Sequence, residues 1–372
     1  MKKKLLILSV MTLILFGLVP AVSACHSKKT AQSIPAEVQS VKPSEVKHTN
    51  NNVLATMNGE IKDDENSFWV GTFQIVWNEV IDNIVHHPLE FIGGTTQSAK
   101  DLNKREFNKT DISENSYYTK YGTVSPELKK EIEKGIKEKF NETSDVLDSI
   151  DFTYDPMKLL IYAMLKKDFK FLEPFDKLND YKFGRYNEKV KYFGIDSESE
   201  SKLYKNVSVL FYNNRSDYAV KLNTKTDDEV ILYRTNDVKK FNEYYEDVTT
   251  KSEVKSDRPY FGRYDRLKVP EISMFLKTNF PDLEGKYIKN SDFRIDQTFE
   301  TIDFKMDNEG VKLKSEAGII MKATSVGGPT PEIRYFYFDD KFVLFLKEKE
   351  RNVPYYAMRV VDVASLNKTG KK

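Results

Sequence analysis

The chain has 372 residues, of which 40% are hydrophobic and 31% charged, a composition typical of a soluble globular protein with enough apolar residues for a core. Its 58 basic and 57 acidic residues nearly cancel, so the chain creates no long-range field that would attract nucleic acid. The single cysteine excludes an intramolecular disulfide, and stability must therefore come from the core. We expect a monomer that does not bind nucleic acid.

Residues 1–24 are predicted to be a signal peptide. A positively charged start at residues 2–4 precedes an apolar stretch that is too short for a stable membrane span. The stretch ends in Val-Ser-Ala-Cys, which resembles the bacterial lipobox, in which the cysteine, here Cys25, is diacylated and becomes the new N-terminus. Two acyl chains are enough for durable anchoring. The alternative is an ordinary signal peptide in which Cys25 is incidental.

Residues 25–52 are rich in Ser, Lys, Pro and Asn and poor in large apolar residues, which predicts a flexible tether. The folded domain is then expected at residues 53–366. With Cys25 lipidated, the membrane is a partner through the lipid anchor, and the protein would lie on the extracellular face of the bacterial cytoplasmic membrane.

Residues 68–91 predict a buried helix, because large apolar side chains such as Trp69, Phe73 and Trp77 recur there at helical spacing. Packing in the core explains both tryptophans. The adjacent pair His86-His87 is not expected to hold a metal, because neighbouring side chains on a helix point in different directions.

A second helix is predicted to begin at Ser125. The Ser-Pro-Glu sequence supplies a side-chain cap, a proline at the first helical position and an acidic residue in the first turn. Apolar residues then recur every four positions, from Leu128 to the last at Phe140, which places one apolar stripe against a core.

Short strands dominate the middle of the chain. The apolar run at residues 159–165 predicts a strand covered on both faces. Residues 295–306 alternate as a strand, and residues 238–245 predict a short helix. The intermixed strands and helices, without a regular βαβ repeat, favour the α+β class. Antiparallel strands separated by polar turns are predicted at residues 207–211, 218–222 and 230–233.

The C-terminal part carries the most informative pattern. Asn308-Glu309-Gly310 opens a long, mostly small and polar segment that ends at Pro331. Two apolar runs, residues 342–346 and 355–361, follow as predicted strands with a bend between them. A compact domain rarely carries so long a loop without a functional reason.

This arrangement resembles the C-terminal end of the serpins, the serine-protease-inhibitor family. Asn308-Glu309-Gly310 stands where serpins place the E-E-G that opens the reactive-centre loop. Residues 321–325, Met-Lys-Ala-Thr-Ser, resemble the middle of that loop. Residues 341–346 and 358–362 are similar to the closing strands, and residues 159–176 to the central strand of the sheet that receives the loop.

The resemblance implies an α+β, serpin-like fold, with a large mixed or antiparallel central sheet, further small sheets and surrounding helices. It also implies a mechanism, in which a serine protease cleaves the loop and the freed loop inserts into the sheet as an extra strand. The loop hinge would comprise Asn308, Glu309, Gly310 and Val311. Inserted residues alternate between core and solvent. The inward set would be Val311, Leu313, Ser315 and Ala317, and the outward set Lys312, Lys314, Glu316 and Gly318.

The resemblance places protease recognition within Met321, Lys322, Ala323, Thr324 and Ser325. Cleavage between Lys322 and Ala323 would suit a trypsin-like enzyme, whose pocket binds a cation. Cleavage between Thr324 and Ser325 would suit an elastase-like or subtilisin-like enzyme. The expected partner is a serine protease.

A second interpretation stays open. Val311 and Leu313 are bulkier than the Thr and Ala that family inhibitors carry after the hinge. The chain would then be a non-inhibitory serpin-fold lipoprotein with a binding or structural envelope role. The sequence contains no catalytic motif such as G-x-S-x-G or H-E-x-x-H, and we expect neither an enzyme nor a bound metal or cofactor.

Overall fold

The computed structural model of the protein describes residues 50–254, 258–311 and 332–371. The strands within these ranges are β1 Asn51–Val53, β2 Asn66–Val70, β3 Tyr117–Val124, β4 Asp155–Leu165, β5 Phe169–Lys170, β6 Asp176–Lys182, β7 Lys189–Ile195, β8 Val207–Asn214, β9 Asp217–Asn223, β10 Asp228–Arg234, β11 Asp265–Pro270, β12 Ile272–Thr278, β13 Glu300–Met306, β14 Gly310–Val311, β15 Arg334–Tyr337, β16 Phe342–Glu348 and β17 Tyr356–Val360. The α-helices are α1 Gly71–Val80, α2 Gln97–Leu102, α3 Pro126–Phe140, α4 Phe241–Ser252 and α5 Val363–Asn367.

The largest sheet has seven strands in the order β1-β2-β17-β16-β10-β9-β8. All its neighbours are antiparallel except β1 and β2, which run parallel. Every residue of β16 and β17 is buried, which accounts for the two apolar runs near the C-terminus. The predicted closing strands and the predicted antiparallel trio β8, β9 and β10 are therefore confirmed.

Smaller sheets complete the described part of the chain. A four-stranded sheet has the order β15-β11-β7-β6, and three two-stranded sheets pair β12 with β13, β14 with β5 and β3 with β4. The α+β class, with a large mixed sheet, smaller sheets and several helices, agrees with the prediction.

Strand β4 departs from its predicted surroundings. Among the described residues it pairs only with β3, whereas the resemblance implied a central strand of a large sheet. Leu160 and Tyr162 are buried, but Leu159, Ile161 and Ala163 on the other face are only partly covered. Both faces of β4 nevertheless contact apolar clusters, because Leu160 and Tyr162 pack with helix α3, and Ala163 and Leu165 pack against the main core. The predicted cover on both faces is therefore present but incomplete on the second face.

Helix α3 begins where its capping sequence predicts. The Ser125 side chain accepts a hydrogen bond from the backbone N–H of Leu128 at 3.1 Å, and Pro126 is the first helical residue. Leu128, Ile132 and Ile136 are buried, so the apolar stripe faces the core as expected.

Helix α1 is shorter than the predicted helix. It begins at Gly71, and a π-helix, Ile81–Val85, extends it. Residues 68–70 belong instead to strand β2, whose five residues are all buried and which pairs with β17. Long-range pairing with β17 thus overrides the helical spacing of the apolar residues at this point.

Two other predicted boundaries are corrected. Helix α4 begins at Phe241 rather than residue 238, because Lys240 occupies the cap position and its backbone N–H donates to the Glu243 carboxylate at 3.0 Å. Strand β13 begins at Glu300 rather than residue 295. Just before it, Thr298 donates to Glu284 through its backbone N–H at 2.9 Å, which holds this part of the chain against a neighbouring loop.

Within the described ranges, none of the helices combines the length and apolarity that a membrane crossing requires. Cys25 lies outside the described residues, together with most of the tether, so the signal peptide, the lipidation and the domain limits stay predictions.

Candidate functional site

A cleft lies between strands β4 and β13. Among the described strands, β4 pairs only with β3 and β13 only with β12, and each presents its other edge to the cleft. The space has a volume of about 1040 Å³ and is lined by residues of β4, β13 and helix α1. A strand edge with open backbone donors and acceptors is a template for another strand.

The floor of the cleft is packed hydrophobic core. The Tyr356 ring of β17 stacks on the Phe304 ring of β13, with the centroids 5.1 Å apart and the planes at 15°. Trp77 of α1 also lines the cleft and is buried. The cleft thus opens onto a rigid apolar base, and its two edges have polar backbone groups.

The predicted hinge lies at the end of the cleft where β13 finishes. The chain reverses through a tight turn, in which the Asp307 N–H donates to the Gly310 carbonyl at 3.2 Å and the Gly310 N–H donates to the Asp307 carbonyl at 3.3 Å. Gly310 and Val311 then form β14, which pairs antiparallel with β5. Strand β14 therefore starts between the end of β13 and strand β5, which follows β4 in the chain.

The direction of β14 follows from these two pairings. It runs antiparallel to β5, and through the Asp307–Gly310 bridge it also turns back along β13. An extension of β14 beyond Val311 would therefore run along the cleft, antiparallel to both edges.

The inward-facing positions of β5 and β4 have the same parity. Phe169 of β5 is buried in the main hydrophobic core, and Ala163 and Leu165 of β4 pack against the same core, so odd-numbered positions face inward on both strands. Leu160 and Tyr162 lie on the opposite face of β4 and pack with helix α3 instead. A regular strand in the cleft can therefore meet inward-facing residues on both sides.

Hydrogen bonds attach the hinge to the segment that follows β4. The Asn308 side-chain amide donates to the Phe175 carbonyl at 3.1 Å, and the Phe175 N–H donates to the Asn308 carbonyl at 2.8 Å. The Phe171 N–H donates to the Glu309 carbonyl at 3.1 Å, and the Glu309 carboxylate lies 3.2 Å from Lys170 Nζ. The structure thus brings Asn308, Glu309, Gly310 and Val311 together against residues 169–175.

The other predicted site residues lie outside the described residues. These are the protease-recognition residues Met321, Lys322, Ala323, Thr324 and Ser325, and the lipidation residue Cys25. The chain is described again from residue 332, and β15 then pairs parallel with β11.

Sequence reasoning missed Glu300, the first residue of β13. The residue lines the cleft but is only 5% exposed, its two carboxylate oxygens are closed to solvent, and the backbone N–H of Phe73 is the polar group that interacts with them. Burial raises the pKa of Glu300 to about 8. The signal was present in the sequence, because alternation places Glu300 on the same face as Ile302, Phe304 and Met306.

A buried ionic network closes the cleft near the junction of β4 and β5. Lys167 Nζ lies 2.9 Å from an Asp228 carboxylate oxygen and also contacts the Glu348 carboxylate. The Tyr355 hydroxyl donates to Asp228 at 3.1 Å, and the Ser113 N–H donates to Glu348 at 2.9 Å. These contacts join the junction to β10 and β16.

Within the described residues, no group of three or more His, Cys, Asp or Glu residues could hold a metal ion. His86 ends the π-helix in the left-handed region, with a φ of 59°.

No protein-family model and no curated protein matches the sequence. Solved structures do match. Serpin48 of the insect Tenebrio molitor shares 12% identity over 78% of this chain and 95% of its own, with a TM-score of 0.43. Thyroxine-binding globulin in complex with thyroxine shares 9% identity over 83% of this chain and 99% of its own, with a TM-score of 0.47.

Human glycosylated kallistatin shares 13% identity over 80% of this chain and 92% of its own, with a TM-score of 0.45. These structures are serpins, the family that the C-terminal motifs resemble, and the similarity is one of fold.

Proposed function

We propose that the protein inhibits a serine-type protease by offering it the segment that follows the hinge. The observation that supports this function is the position of β14, which starts between two strands whose facing edges have no other described partner. A protease would cleave within residues 321–325, and the freed segment would continue β14 along the cleft. Cleavage would thus drive a change of state that holds the attached protease.

The turn at Asp307 and Gly310 sets the register of this proposed strand. The proposed strand is antiparallel to β13, so each residue after Gly310 faces a residue of β13 that lies one position earlier in the chain than the last. The residues of β13 that would face the inward set are all buried, so the small and apolar residues of the segment would enter the core. The facing pairs would be Leu313 with Phe304, Ser315 with Ile302, and Ala317 with Glu300.

The outward set would face solvent in the same register. Lys314 would lie opposite Asp303, whose side chain is 51% exposed and contacts Lys371, and the two would form a cross-strand pair of opposite charge. Glu316 would lie opposite Thr301, where a charged side chain remains hydrated. The alternation of the segment therefore suits both faces of the cleft.

Limited proteolysis followed by thermal melting tests the proposal. Treatment of the intact protein with trypsin or subtilisin should cut the chain within residues 321–325 and raise the melting temperature by roughly ten degrees or more, because a full strand is added to the fold. At equal concentrations, one of these enzymes should also form a complex with the protein that resists denaturing electrophoresis.

Two arginine substitutions give a matched control. Ser315→Arg would bury a charge opposite Ile302 and should abolish both the rise in melting temperature and the stable complex. Glu316→Arg places the same side chain one position later, on the solvent face, and should preserve both effects. If wild type and both variants are cut without a rise in melting temperature, the inhibitor proposal fails and the non-inhibitory binding or envelope role becomes the better hypothesis.

We also propose that the protein is displayed on the outer face of a bacterial cytoplasmic membrane. Support comes from the lipobox-like sequence that ends at Cys25 and from the polar tether behind it. A tether of this composition would let the inhibitory segment reach proteases outside the cell.

A further inference from the structure

Three exposed apolar side chains lie together on two segments, residues 90–92 and 286–296. Ile92 is 64% exposed, Tyr287 56% and Phe293 37%. Backbone hydrogen bonds join the segments, because the Ile92 N–H donates to the Tyr287 carbonyl at 2.9 Å and the Ile288 N–H donates to the Phe293 carbonyl at 3.0 Å. A single exposed apolar side chain is ordinary, but a contiguous group of them marks an interaction surface. We call these three side chains the apolar face.

The apolar face is held on a packed base. Phe91 pairs with Ile288 in a β-bridge, and both side chains are buried in the core. The turn that follows Ile92 contains Gly93 and Gly94, and a Cβ atom at either position would meet no atom within 4 Å. The face therefore projects toward solvent from a rigid support.

The charges on the two segments cancel. Residues 90–92 and 286–296 carry three basic and three acidic side chains, which are Lys286, Lys289, Arg294, Glu90, Asp292 and Asp296. Lys289 Nζ lies 3.1 Å from the Glu90 carboxylate, and the Arg294 guanidinium lies 2.7 Å from Asp296. The face thus offers apolar contact rather than a net charge. An exposed tyrosine among aliphatic and basic side chains is the composition that suits the boundary between water and lipid.

The chain enters the described fold beside the same core. Val53 of β1 packs against the apolar cluster that contains Phe91 and Ile288. With Cys25 lipidated, residues 25–49 join the lipid to this entry. A flexible chain of about 25 residues spans about 25–30 Å, which is less than the roughly 50 Å width of a compact domain of about 310 residues. The anchor therefore brings this part of the surface to the membrane.

We propose that the apolar face rests in the headgroup layer of the membrane to which Cys25 anchors the protein. The inference rests on the proposed membrane display and not on the proposed inhibition of a protease. Because the anchor keeps lipid at a high local concentration, a small apolar contact is enough to hold the face there.

This docking would set the orientation of the hinge. Phe293 precedes β13 and Gly310 follows it, and β13 has seven residues. Seven residues of extended strand span about 23 Å. The hinge would therefore lie on the far side of β13 from the membrane, where a protease outside the cell can reach the segment that follows it.

Hydroxyl-radical oxidation read by mass spectrometry tests the docking. The mature chain, which begins at Cys25, is coupled through its only cysteine to a maleimide lipid in phosphatidylcholine–phosphatidylglycerol vesicles. Ile92, Tyr287 and Phe293 should oxidise roughly threefold or more slowly in the coupled protein than in the free protein. The protection should be the same in about 0.1 M and about 0.5 M salt, because the face has no net charge.

The coupling supplies the anchor whether or not cells acylate Cys25. Failure of the membrane-display proposal would instead appear as an unacylated N-terminus in protein taken from cells. Tyr260 is an internal control, because it is 85% exposed and pairs with Ser208 of β8, at the opposite edge of the seven-stranded sheet from β1. Its oxidation rate should be the same in the free and the coupled protein.

Two variants assign the docking to the apolar face. The double variant Ile92→Ser, Tyr287→Ser changes only exposed side chains and should return Phe293 to the oxidation rate of the free protein. Tyr260→Ser should leave Phe293 protected. Equal oxidation of the face in free and coupled wild type, protection of Tyr260 instead, loss of protection at the higher salt, or protection of Phe293 that persists in the double variant would each overturn the proposal.

Discussion

The Cα atom of Gly310 approaches the backbone of Lys170 so closely that a Cβ atom at Gly310 would lie 2.5 Å from the Lys170 Cα atom. Gly310 also has a φ of 139°, a conformation that other residues rarely adopt. Steric space and backbone conformation thus both require glycine where β14 begins. The hinge can pair with β5 only because this position lacks a side chain.

Gly310→Ala should detach the hinge from β5. Backbone strain and the clash with Lys170 together should lower the free energy of unfolding by about 2–3 kcal/mol. Denaturant unfolding measures this loss, and hydrogen exchange at the Phe171 amide reports the hinge directly, because that N–H donates to Glu309. Gly262→Ala is the control, because a Cβ atom there meets no atom within 4 Å. Equal stability of the two variants would contradict the steric requirement at Gly310.

Lys167 should contribute far more to stability than its neighbour Lys166. The Lys167 side chain is 11% exposed and pairs with two carboxylates that are each 10% exposed. Lys167→Met would leave Asp228 without a cation among the described residues and Glu348 with only Arg351 at 3.7 Å, and should cost about 3 kcal/mol. Lys166→Met removes a more exposed pair with Glu142 and should cost less than about 1 kcal/mol. Equilibrium unfolding of both variants at neutral pH would reveal whether their costs differ.

Cys25→Ser should release the protein from the membrane. The serine cannot accept the thioether-linked diacylglycerol, so the predicted anchor would be lost. Cell fractionation should find the wild type in the membrane fraction and the Cys25→Ser variant in the medium. Mass spectrometry of the wild type should show an acylated N-terminus. Ser27→Ala, two residues further along, serves as the control and should remain with the membrane. A wild-type protein that is already free in the medium would contradict the lipoprotein prediction.

The elements that could be predicted from sequence are those whose signals are local. Ser125 and Pro126 specify the start of α3 through the cap and the first-turn geometry, without help from the rest of the chain. Strands β16 and β17 are buried on both faces, and a continuous apolar run is the usual pattern of such strands.

The elements that could not be predicted depend on distant partners. Residues 68–70 are apolar at a spacing that suits a helix, and only their pairing with β17 makes them a strand. The apolar run in β4 indicated a strand but did not show which strands lie beside it. The cleft between β4 and β13 could therefore not be predicted from the sequence. Alternation did place Glu300 on the face of Ile302 and Phe304, but its burial also depends on distant elements such as helix α1, which lines the same space.

The sign of the pH effect at Glu300 follows from its position in the folded protein. Folding raises its pKa from 4.5 to about 8, so the folded protein holds this proton up to a higher pH than the unfolded chain does. The contribution of Glu300 to stability is therefore fully present below about pH 4.5, declines as the pH rises, and is lost once the pH has passed about 8.

Glu300→Gln should remove this pH dependence. The amide cannot ionise, so the stability of the variant relative to wild type should increase between about pH 5 and pH 9 by up to a few kcal/mol. Urea unfolding at several pH values in this range measures the difference in the free energy of unfolding between the variant and wild type. The prediction concerns the change of this difference with pH, not its absolute value. Asp303→Asn on the solvent face should show little slope, because its carboxyl is largely hydrated. A wild type and a Glu300→Gln variant with parallel stability profiles would mean that water or a bound cation already satisfies the carboxylate.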